Sequence, residues 1–174
     1  IDNGSSDKTA EFLSIYKQTN PNCVNFKYIL NDKDYGFAVA VNQGIRMSNG
    51  EYIMILNSDT EITDNSCEKL VSIADKYPNF GVFGVKVLDP DGGRLHCVSH
   101  LPSLFNIIGS RLKFTKLFPN NKFIQKKLKV ELSNEKESIV DHLSGVLFLI
   151  NKKIIKTVGL FDEGYFLWFE ETDF

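Results

Sequence analysis

The fold class of this chain is decided by EYIMILNSDTE, residues 51–61. The run at 52–56 is almost entirely apolar, which is typical of a central strand that is buried on both faces of a parallel sheet. The polar residues 57–61 follow directly and form a loop at the carboxyl end of the strand. We therefore predict a buried central strand that holds Asp59 at the edge of a sheet.

Helix and strand patterns alternate on both sides of this strand. Before it, we predict a helix capped by Ser6 or Asp7, a strand over residues 24–30 and a helix over about 38–47. After it, we predict these elements in order: a helix over about 65–77, a strand or strand pair in 80–88, a turn at 89–93, short helices within 101–138, a strand over 140–150 and a short helix over 151–158 that ends at Gly159. This rhythm indicates an α/β domain with a mainly parallel sheet flanked by helices.

The composition is that of an ordinary globular protein. With 43% hydrophobic and 24% charged residues, a chain that is disordered throughout is excluded. The three cysteines show no metal or redox spacing and favour a reducing compartment. No segment approaches the ~20 apolar residues of a membrane span, and no signal peptide is visible. Because the chain begins with Ile1 and stops inside an acidic cluster, we interpret it as part of a longer protein.

The charge is unevenly distributed along the chain. The stretch from Gly92 to Val130 contains no Asp or Glu, although the chain has 22 acidic residues. It contains eight basic residues: Arg94, Arg111, Lys113, Lys116, Lys122, Lys126, Lys127 and Lys129. Such a stretch attracts anions, which include phosphate groups and an acidic membrane surface. The alternative is a solvated face without a partner.

Asp59 is a candidate metal ligand, because a carboxylate just beyond a buried strand is held rigidly. Mg²⁺ and Mn²⁺ prefer oxygen ligands, and Mg²⁺ is usually bound by one or two carboxylates together with substrate phosphates. The alternative is a turn or helix-capping carboxylate, which is common after strands. The spacing of residues 57–61 alone leaves both interpretations open.

Two glycine-containing turns suit the approach of a nucleotide. The first, DNGSSD at residues 2–7, precedes a helix N-terminus, which favours an anion. Asp2 and Asn3 could hydrogen-bond a nucleobase or a ribose there. The second, DYGFAVAVN at residues 34–42, has Gly36 just before a helix. Neither turn matches a P-loop or G-x-G-x-x-G. The alternatives are an Asx-type turn that caps a helix and a loop closed by an aromatic side chain.

The tail GLFDEGYFLWFEETDF, residues 159–174, mixes acidic and aromatic side chains. Burial of a carboxyl group among aromatic rings raises its pKa towards values that suit a general base, and aromatic faces pack against sugar rings. The alternative is a surface loop anchored by its Phe and Trp side chains. The three histidines show no metal-ligand spacing, and His142 is the one that we keep as a candidate.

Taken in order, these segments resemble the family 2 glycosyltransferases of the GT-A fold, especially the rhamnosyltransferase-like branch. The matching segments are IDNGSSDKT, DYGFAVAVNQG, YIMILNSDTEI and VGLFDEGYFLWFEETDF, which together extend over almost the whole chain. The resemblance implies a GT-A (Rossmann-like) α/β fold with a small antiparallel element beside the mainly parallel sheet. Residues 1–174 would form one partial domain, because the family's first strand and C-terminal helices are missing.

The resemblance also implies roles for individual residues. Asp59 would be the metal-binding carboxylate of a D-x-D-like motif whose first acid is Asn57 here. Glu171 would be the catalytic base in place of the usual Asp, with Glu170 as its competitor. The residues assigned to the nucleotide are Asp2, Asn3, Ser5, Asp34, Gly36, Asn42, Asn57 and Ser58. The residues assigned to the acceptor side are Asp162, Glu163, Trp168 and His142.

The activity implied by the resemblance is inverting transfer of a sugar from a nucleoside-diphosphate donor to an acceptor hydroxyl in cell-surface polysaccharide synthesis. The acceptor would be a sugar or a lipid-linked saccharide, the cofactor would be Mg²⁺ or Mn²⁺, and no nucleic acid would bind. We expect a cytoplasmic protein, with peripheral contact to the anionic inner face of the membrane. Two alternatives stay open: a nucleotidyltransferase, which normally has a glycine-rich basic loop, and a non-catalytic nucleotide- or sugar-binding domain.

Overall fold

Eight helices and five strands are found in a computed structural model, which describes residues 1–23, 25–93, 97–101, 103–128 and 137–174. The helices are α1 (Thr9–Thr19), α2 (Phe37–Met47), α3 (Ser66–Lys76), α4 (Leu104–Arg111), α5 (Phe114–Leu117), α6 (Lys122–Leu128), α7 (Lys152–Val158) and α8 (Glu170–Asp173). The strands are β1 (Tyr52–Leu56), β2 (Val82–Phe83), β3 (Val98–Ser99), β4 (His142–Leu143) and β5 (Leu147–Asn151). This mixture confirms the α/β class.

The chain divides into two units by its internal contacts. The first unit consists of Ile1–Ile53 and Lys152–Phe174, and the second consists of Met54–Asn151. The interpretation of residues 1–174 as one partial domain stays a prediction, and each unit is described by itself.

Helix α2 is the main buried helix of the first unit. Ala38, Asn42 and Ile45 are its buried residues, and their spacing puts them on one face of the helix. Gly36 precedes the helix with a φ of +90°, a conformation that glycine adopts without steric cost. The predicted helix at 38–47 is therefore confirmed, with a start one residue earlier.

The first unit also corrects a predicted strand. Residues 25–29 do not form a β-strand. The segment is paired by a single parallel β-bridge, between Asp2 and Leu30. Asp2 N donates to the carbonyl of Ile29, and Asn31 N donates to the carbonyl of Asp2, both at 2.9 Å. The strand prediction for 24–30 is wrong over the described residues, because Asp2 is the one described residue that pairs with the segment. Val24 lies outside the described residues.

Strand β5 is the buried strand of a three-stranded sheet with the order β1-β5-β2. Phe148, Leu149 and Ile150 are all buried, whereas β1 buries only Ile53 and leaves Leu56 exposed. The prediction that residues 52–56 form the central strand is therefore wrong in this sheet, where the strand lies at an edge. Strand β5, in which four consecutive residues are buried, is the central strand of this sheet.

The described strands of this sheet run antiparallel. In the β2–β5 pair, Val82 faces Ile150. At the two ends of β1 and β5, Asn57 N donates to the carbonyl of Val146 at 3.2 Å, and Lys152 N donates to the carbonyl of Glu51 at 2.9 Å. Residue numbers that rise in one strand and fall in the other define antiparallel strands. The described pairings therefore do not confirm a mainly parallel sheet.

The predicted strand over 140–150 is two strands. Residues 144–146 form a turn that separates β4 from β5, and β4 pairs with β3 in a second sheet, where Val98 faces Leu143. Ser144 N donates to the carbonyl of Cys97, so the chain leaves the second sheet at that point. An apolar run shows that a segment is buried, but it does not show which partner each half has.

The remaining predicted helices and the turn are confirmed with small shifts. The strand predicted in 80–88 is confirmed only over Val82–Phe83, and the first helix has Lys8 at its N-cap, not Ser6 or Asp7. Helix α3 lies within the predicted range and buries Leu70 and Ala74, and α7 ends at Val158, directly before Gly159, where φ is +100°. The turn at 89–93 is closed by Asp89, whose carboxylate accepts from Gly93 N at 2.6 Å. Helices α4, α5 and α6 are the short helices expected within 101–138. Within the described ranges, no helix has the length and apolar character that a bilayer span requires.

Candidate functional site

Asn3 joins the two glycine-containing turns of the first unit. Its side-chain nitrogen donates to the Asp34 carboxylate at 2.5 Å and to the Gly36 carbonyl at 3.2 Å. Its side-chain oxygen accepts from the Asn31 amide at 2.9 Å and from Tyr35 N at 3.3 Å. Both ends of the Asn3 amide are therefore used to hold the loop, and the structure brings together two turns that are 31 residues apart in sequence.

Asp2 is the buried residue of the first glycine-containing turn. It is 6% exposed, and its carboxylate accepts from Ser5 N at 3.1 Å, which is the Asx-type turn foreseen as an alternative. Gly4 follows with φ of +82°, and a Cβ there would lie 2.4 Å from the backbone carbon of Lys33. Only glycine allows residues 33–34 to approach the opening turn this closely.

The second turn is stabilised from within. The Asp34 carboxylate also accepts from Gly36 N at 2.8 Å, and the Tyr35 hydroxyl donates to Asp32 at 2.8 Å. The bond from Tyr35 lowers the pKa of the Asp32 carboxyl. The two turns thus form a firm polar loop that combines carboxylates, amides and backbone groups, the mixture that hydrogen-bonds a nucleobase or ribose.

Asn42 is a clamp between α2 and the tail. Its amide nitrogen donates to the Phe161 carbonyl and to the Glu163 carboxylate, both at 2.9 Å, and its oxygen accepts from Phe161 N at 3.0 Å. The residue is completely buried. Since both amide protons are used within the protein, Asn42 holds the tail in position, and its assigned part in framing the nucleotide stays a prediction.

Arg46 and Glu163 extend this clamp at the surface. They form an ion pair at 3.2 Å, and both side chains are about half exposed. The hydrogen bond from Asn42, followed by that from Arg46, lowers the pKa of the Glu163 carboxyl. Arg46 was not among the predicted site residues, although a basic residue one turn after Asn42 on α2 is a signal that the sequence contains. Asp162, assigned with Glu163 to the acceptor side, accepts from Gly164 N at 2.8 Å within a turn, and its assignment stays a prediction.

The tail presents aromatic side chains to solvent on an unusual backbone. Trp168 and Phe169 have φ of +69° and +71°, which is uncommon for bulky side chains and is often found at functional sites. Their side chains are 70% and 59% exposed. The carbonyl of Phe166 accepts from Phe37 N at 3.1 Å, so the start of α2 fixes one end of this aromatic segment.

Glu170 and Glu171 follow at the start of α8. Glu170 is 3% exposed, and its Oε2 is buried without a hydrogen-bond partner among the described residues. Burial raises the pKa of the Glu170 carboxyl, and the adjacent Glu171 charge adds to the rise. Glu171 is half-buried with its own Oε2 enclosed and unpartnered. Buried acceptor atoms that nothing satisfies are uncommon in native proteins and are often found at functional sites.

The second unit contains the other predicted residues. Asp59 and Ser58 are exposed in a turn after β1, and the Thr60 hydroxyl closes this turn by donating to the Asn57 carbonyl at 2.6 Å. The described residues contain no group of three or more His, Cys, Asp or Glu side chains that could hold a metal ion. Asp59 therefore offers one accessible carboxylate to a cation, which would need further oxygen ligands from a substrate.

His142 lies in β4 opposite Ser99. Its neighbour Asp141 accepts a hydrogen bond from the ring Nδ1 of His100 at 3.0 Å, and this His–Asp pair was not predicted because the two residues are 41 positions apart.

The family model for glycosyl transferase family 2 matches residues 1–159. The chain belongs to that family. The match extends over both glycine-containing turns, Asn42 and the Asp59 turn, and it ends before Glu170.

Two relatives of this family 2 chain match 99% and 100% of its length, so their matched ranges extend over residues 170 and 171. The chain is 26% identical over 183 residues to an N-acetylglucosaminyl-diphospho-decaprenol L-rhamnosyltransferase of Mycobacterium tuberculosis, a match to 99% of the chain and 57% of the relative. It is 26% identical to the low-salt glycan biosynthesis hexosyltransferase Agl10 of Haloferax volcanii, over 100% of the chain and 50% of the relative. It is 25% identical to a poly-beta-1,6-N-acetyl-D-glucosamine synthase of Staphylococcus epidermidis, over 93% of the chain and 34% of the relative. The chain thus spans about half of the length of the first two relatives.

Proposed function

We propose that this protein transfers a sugar, with inversion at the anomeric carbon, from a nucleoside-diphosphate donor to an acceptor hydroxyl in cell-surface polysaccharide synthesis. The observation that carries the proposal is the pair of buried, unpartnered carboxylate oxygens of Glu170 and Glu171. They directly follow an exposed aromatic segment in a chain that belongs to a glycosyltransferase family. Carboxylates for proton transfer beside aromatic faces for a sugar ring are what such a reaction needs.

The base and ribose of the donor bind at the loop formed by the two glycine-containing turns. Asp2, Ser5 and Asp34 supply its hydrogen-bonding groups, while Asn3 keeps the two turns together. A loop whose polar groups are already oriented loses little conformational freedom when the nucleotide binds, which favours affinity. The same role is proposed for Asn57 and Ser58, whose turn is described with the second unit.

Glu171 is the proposed general base. It accepts the proton of the acceptor hydroxyl while the oxygen forms a bond to the anomeric carbon. The bond from that carbon to the diphosphate breaks, and its electron pair leaves with the nucleoside diphosphate. Glu171 is more accessible than Glu170, and a base must reach the proton that it takes. Glu170, with its raised pKa, remains the competitor for this role.

Asp59 is the proposed ligand of a divalent cation, Mg²⁺ or Mn²⁺. It is an exposed carboxylate that makes no ion pair with another described residue, and one carboxylate combined with substrate phosphates is a usual set for Mg²⁺. When bound, the cation would offset the negative charge of the departing diphosphate, an effect worth several kcal/mol. Residue 57 is Asn in this chain, so the donor phosphates would supply much of the coordination.

The acceptor is proposed to be a saccharide, free or linked to a lipid, since one relative is named for a diphospho-decaprenol acceptor and another for poly-beta-1,6-N-acetyl-D-glucosamine. Trp168, with its exposed ring, is the proposed acceptor-side aromatic residue, and Glu163 and His142 are further candidates. We also propose that the protein has the mainly parallel sheet of the GT-A fold and acts on the cytoplasmic side of a membrane.

The decisive experiment compares Glu171→Gln with Glu170→Gln. Donor binding is measured by calorimetry with dTDP-rhamnose or UDP-N-acetylglucosamine in the presence of Mn²⁺, and turnover is measured as nucleoside-diphosphate release. Glu171→Gln should bind donor like wild type and lose roughly 10²–10⁴-fold in turnover. Full turnover in that variant would move the base to another residue. Donor binding without turnover in the wild-type chain would instead favour a non-catalytic binding domain.

A further inference from the structure

Helices α4, α5 and α6 contact one another through aromatic side chains. The Phe105 ring contacts the rings of Phe114 and Phe123, with centroids 6.4 and 6.1 Å apart. Gly109 is buried, and a Cβ there would lie 2.9 Å from Leu128. The helices therefore pack on one another through Phe105 and Gly109, which lie on one face of α4 because they are four residues apart.

The opposite face of α4 is also apolar, but it is exposed to solvent. Leu104 is 77% exposed, and Ile107 and Ile108 are about half exposed. Residues spaced by three and four positions form one stripe on a helix. Leu117 of α5 and Phe123 of α6 are exposed as well, each by more than 60%. We call the surface that these exposed apolar residues form together with the basic residues of 103–128 the helical surface.

Basic side chains lie among these apolar ones. Residues 103–128 contain no acidic side chain, and the six basic ones are Arg111, Lys113, Lys116, Lys122, Lys126 and Lys127. Arg111 continues the exposed stripe of α4, since it is four residues after Ile107. Lys126 and Lys127 share a face of α6 with the exposed Phe123 for the same reason. The helical surface thus combines aliphatic side chains with positively charged ones and contains no acidic side chain.

We propose that the helical surface docks on an anionic lipid bilayer, with its apolar stripe in the headgroup region and its basic residues against lipid phosphates. Exposed aliphatic side chains with flanking Lys and Arg are the features by which helices lie in a membrane interface. This proposal rests on the part of the proposed function that places the protein at the cytoplasmic side of a membrane, and it names the surface that would contact the lipid. Its test does not depend on sugar transfer.

A second copy of the chain is the less suitable occupant. In a two-fold symmetric dimer the same patch faces itself, which would bring the six basic residues of one copy against those of the other. A nucleic acid would satisfy the charge, but a phosphate backbone offers no apolar phase to the leucine and isoleucine side chains. An anionic bilayer matches both properties of the helical surface.

Co-sedimentation of the full chain with vesicles tests the proposal. Vesicles of phosphatidylcholine alone are compared with vesicles that also contain phosphatidylglycerol, at about 0.1 M and about 1 M salt, between which the Debye length falls from roughly 10 to 3 Å. The double variant Lys122→Gln/Lys126→Gln removes two charges from the helical surface. Its control, Lys8→Gln/Lys156→Gln, removes two exposed charges elsewhere, so both variants have the same net charge.

The wild-type chain should bind the anionic vesicles, and high salt should weaken the binding. The Lys122/Lys126 variant should bind roughly 25-fold more weakly, at about fivefold for each charge removed, whereas the control should bind like wild type. Leu104→Asn/Ile107→Asn should also weaken binding, and circular dichroism checks that it stays folded.

Equal binding to both kinds of vesicle, or wild-type binding by the Lys122/Lys126 variant, would overturn the proposal. Self-association in sedimentation velocity that Leu104→Asn/Ile107→Asn abolishes, without vesicle binding, would assign the surface to a second copy. Donor turnover is measured on the same samples. If turnover persists without vesicle binding, only the docking proposal fails; if vesicle binding persists without turnover, only the proposed function fails.

Discussion

The side-chain amide of Asn42 and the backbone of Phe161 exchange two hydrogen bonds, at 2.9 and 3.0 Å, across 119 residues of sequence. Phe161 is itself buried, and its ring stacks on that of Phe174 with centroids 4.3 Å apart. One buried amide therefore connects α2 to the tail that carries Trp168, Glu170 and Glu171. The proposed catalytic segment therefore depends for its position on Asn42.

Asn42→Ala should destabilise the protein by about 2–4 kcal/mol. The substitution leaves the N–H and the carbonyl of Phe161 buried without partners, and each such group costs about 1–3 kcal/mol. Urea unfolding followed by circular dichroism measures the loss. Asn65→Ala is the control, because Asn65 is exposed and its side chain makes no capping bond to α3. An Asn42→Ala variant within about 0.5 kcal/mol of wild type, the usual range for surface changes, would show that the clamp contributes little.

Glu170→Gln should raise stability increasingly as the pH rises. The folded-state pKa of Glu170 is raised by burial, so the folded protein binds this proton more tightly than the unfolded chain does. The corresponding stability is fully present below the unfolded pKa, near 4.5, and is lost as the pH rises through the folded pKa. Glutamine cannot ionise and avoids this loss. Unfolding free energies of both proteins from pH 4 to pH 8 give the difference, which should grow with pH and then level off.

The matched control for that pH series is Glu163→Gln. The pKa of Glu163 is lowered by its bonds to Asn42 and Arg46, so its contribution is present above the unfolded pKa and is lost as the pH falls. The two variants should therefore differ from wild type with opposite signs near neutral pH. A flat difference for Glu170→Gln across the series would mean that its carboxyl titrates alike in the folded and unfolded chains.

The helices of this fold were predictable because their signals are local. Helix α2 shows a periodic apolar face with Gly36 before it, and α7 is bounded by Gly159, so both were predicted to within one residue. The strands depend on partners that are distant in sequence. The run 140–150 has no local sign that Leu143 pairs with Val98 while Leu149 pairs with Phe83.

The candidate site was predictable to a similar degree. Motifs identified Asp2, Gly36, Asn42 and Glu170 as residues of interest, and the loop and the tail do contain them. Their individual tasks could not be predicted, because a task depends on contacts. Asn3 and Asn42 use their amides on the protein itself, and the ion pair from Arg46 to Glu163 joins residues that are 117 positions apart.

Gly36→Ala should disturb the aromatic segment more than a comparable glycine substitution does elsewhere. At Gly36 φ is +90°, and a Cβ would lie 2.5 Å from the carbonyl oxygen of Phe166, the oxygen that accepts from Phe37 N. The backbone strain alone costs about 1–3 kcal/mol, and the collision adds to it. Because Trp168 is the single tryptophan, its fluorescence reports on the segment directly and should change in the folded variant.

The control variant Gly92→Ala separates the cost of backbone strain from the cost of the steric clash with the Phe166 carbonyl. Gly92 has φ of +80°, but a Cβ there would meet nothing within 4 Å. It should therefore show the strain cost in urea unfolding and leave the Trp168 emission unchanged. Equal losses in the two variants, together with an unaltered Trp168 spectrum in Gly36→Ala, would mean that the Phe166 carbonyl moves aside without consequence.

Asp59→Ala should remove metal-dependent donor binding while the fold persists. The side chain is exposed in a turn, so truncation leaves no buried group unsatisfied and should change stability by less than about 0.5 kcal/mol. Turnover should fall by roughly 10²-fold or more, because a metal at the diphosphate is worth several kcal/mol. Nucleoside-diphosphate release with Mn²⁺, with and without EDTA, measures the effect, and EDTA should bring the wild type to the level of the variant.

Glu61→Ala is the control, since it removes an exposed carboxylate two residues further along the same loop and should retain Mn²⁺-dependent turnover. Activity of the wild type in EDTA, or equal losses in the two variants, would remove Asp59 from the metal site.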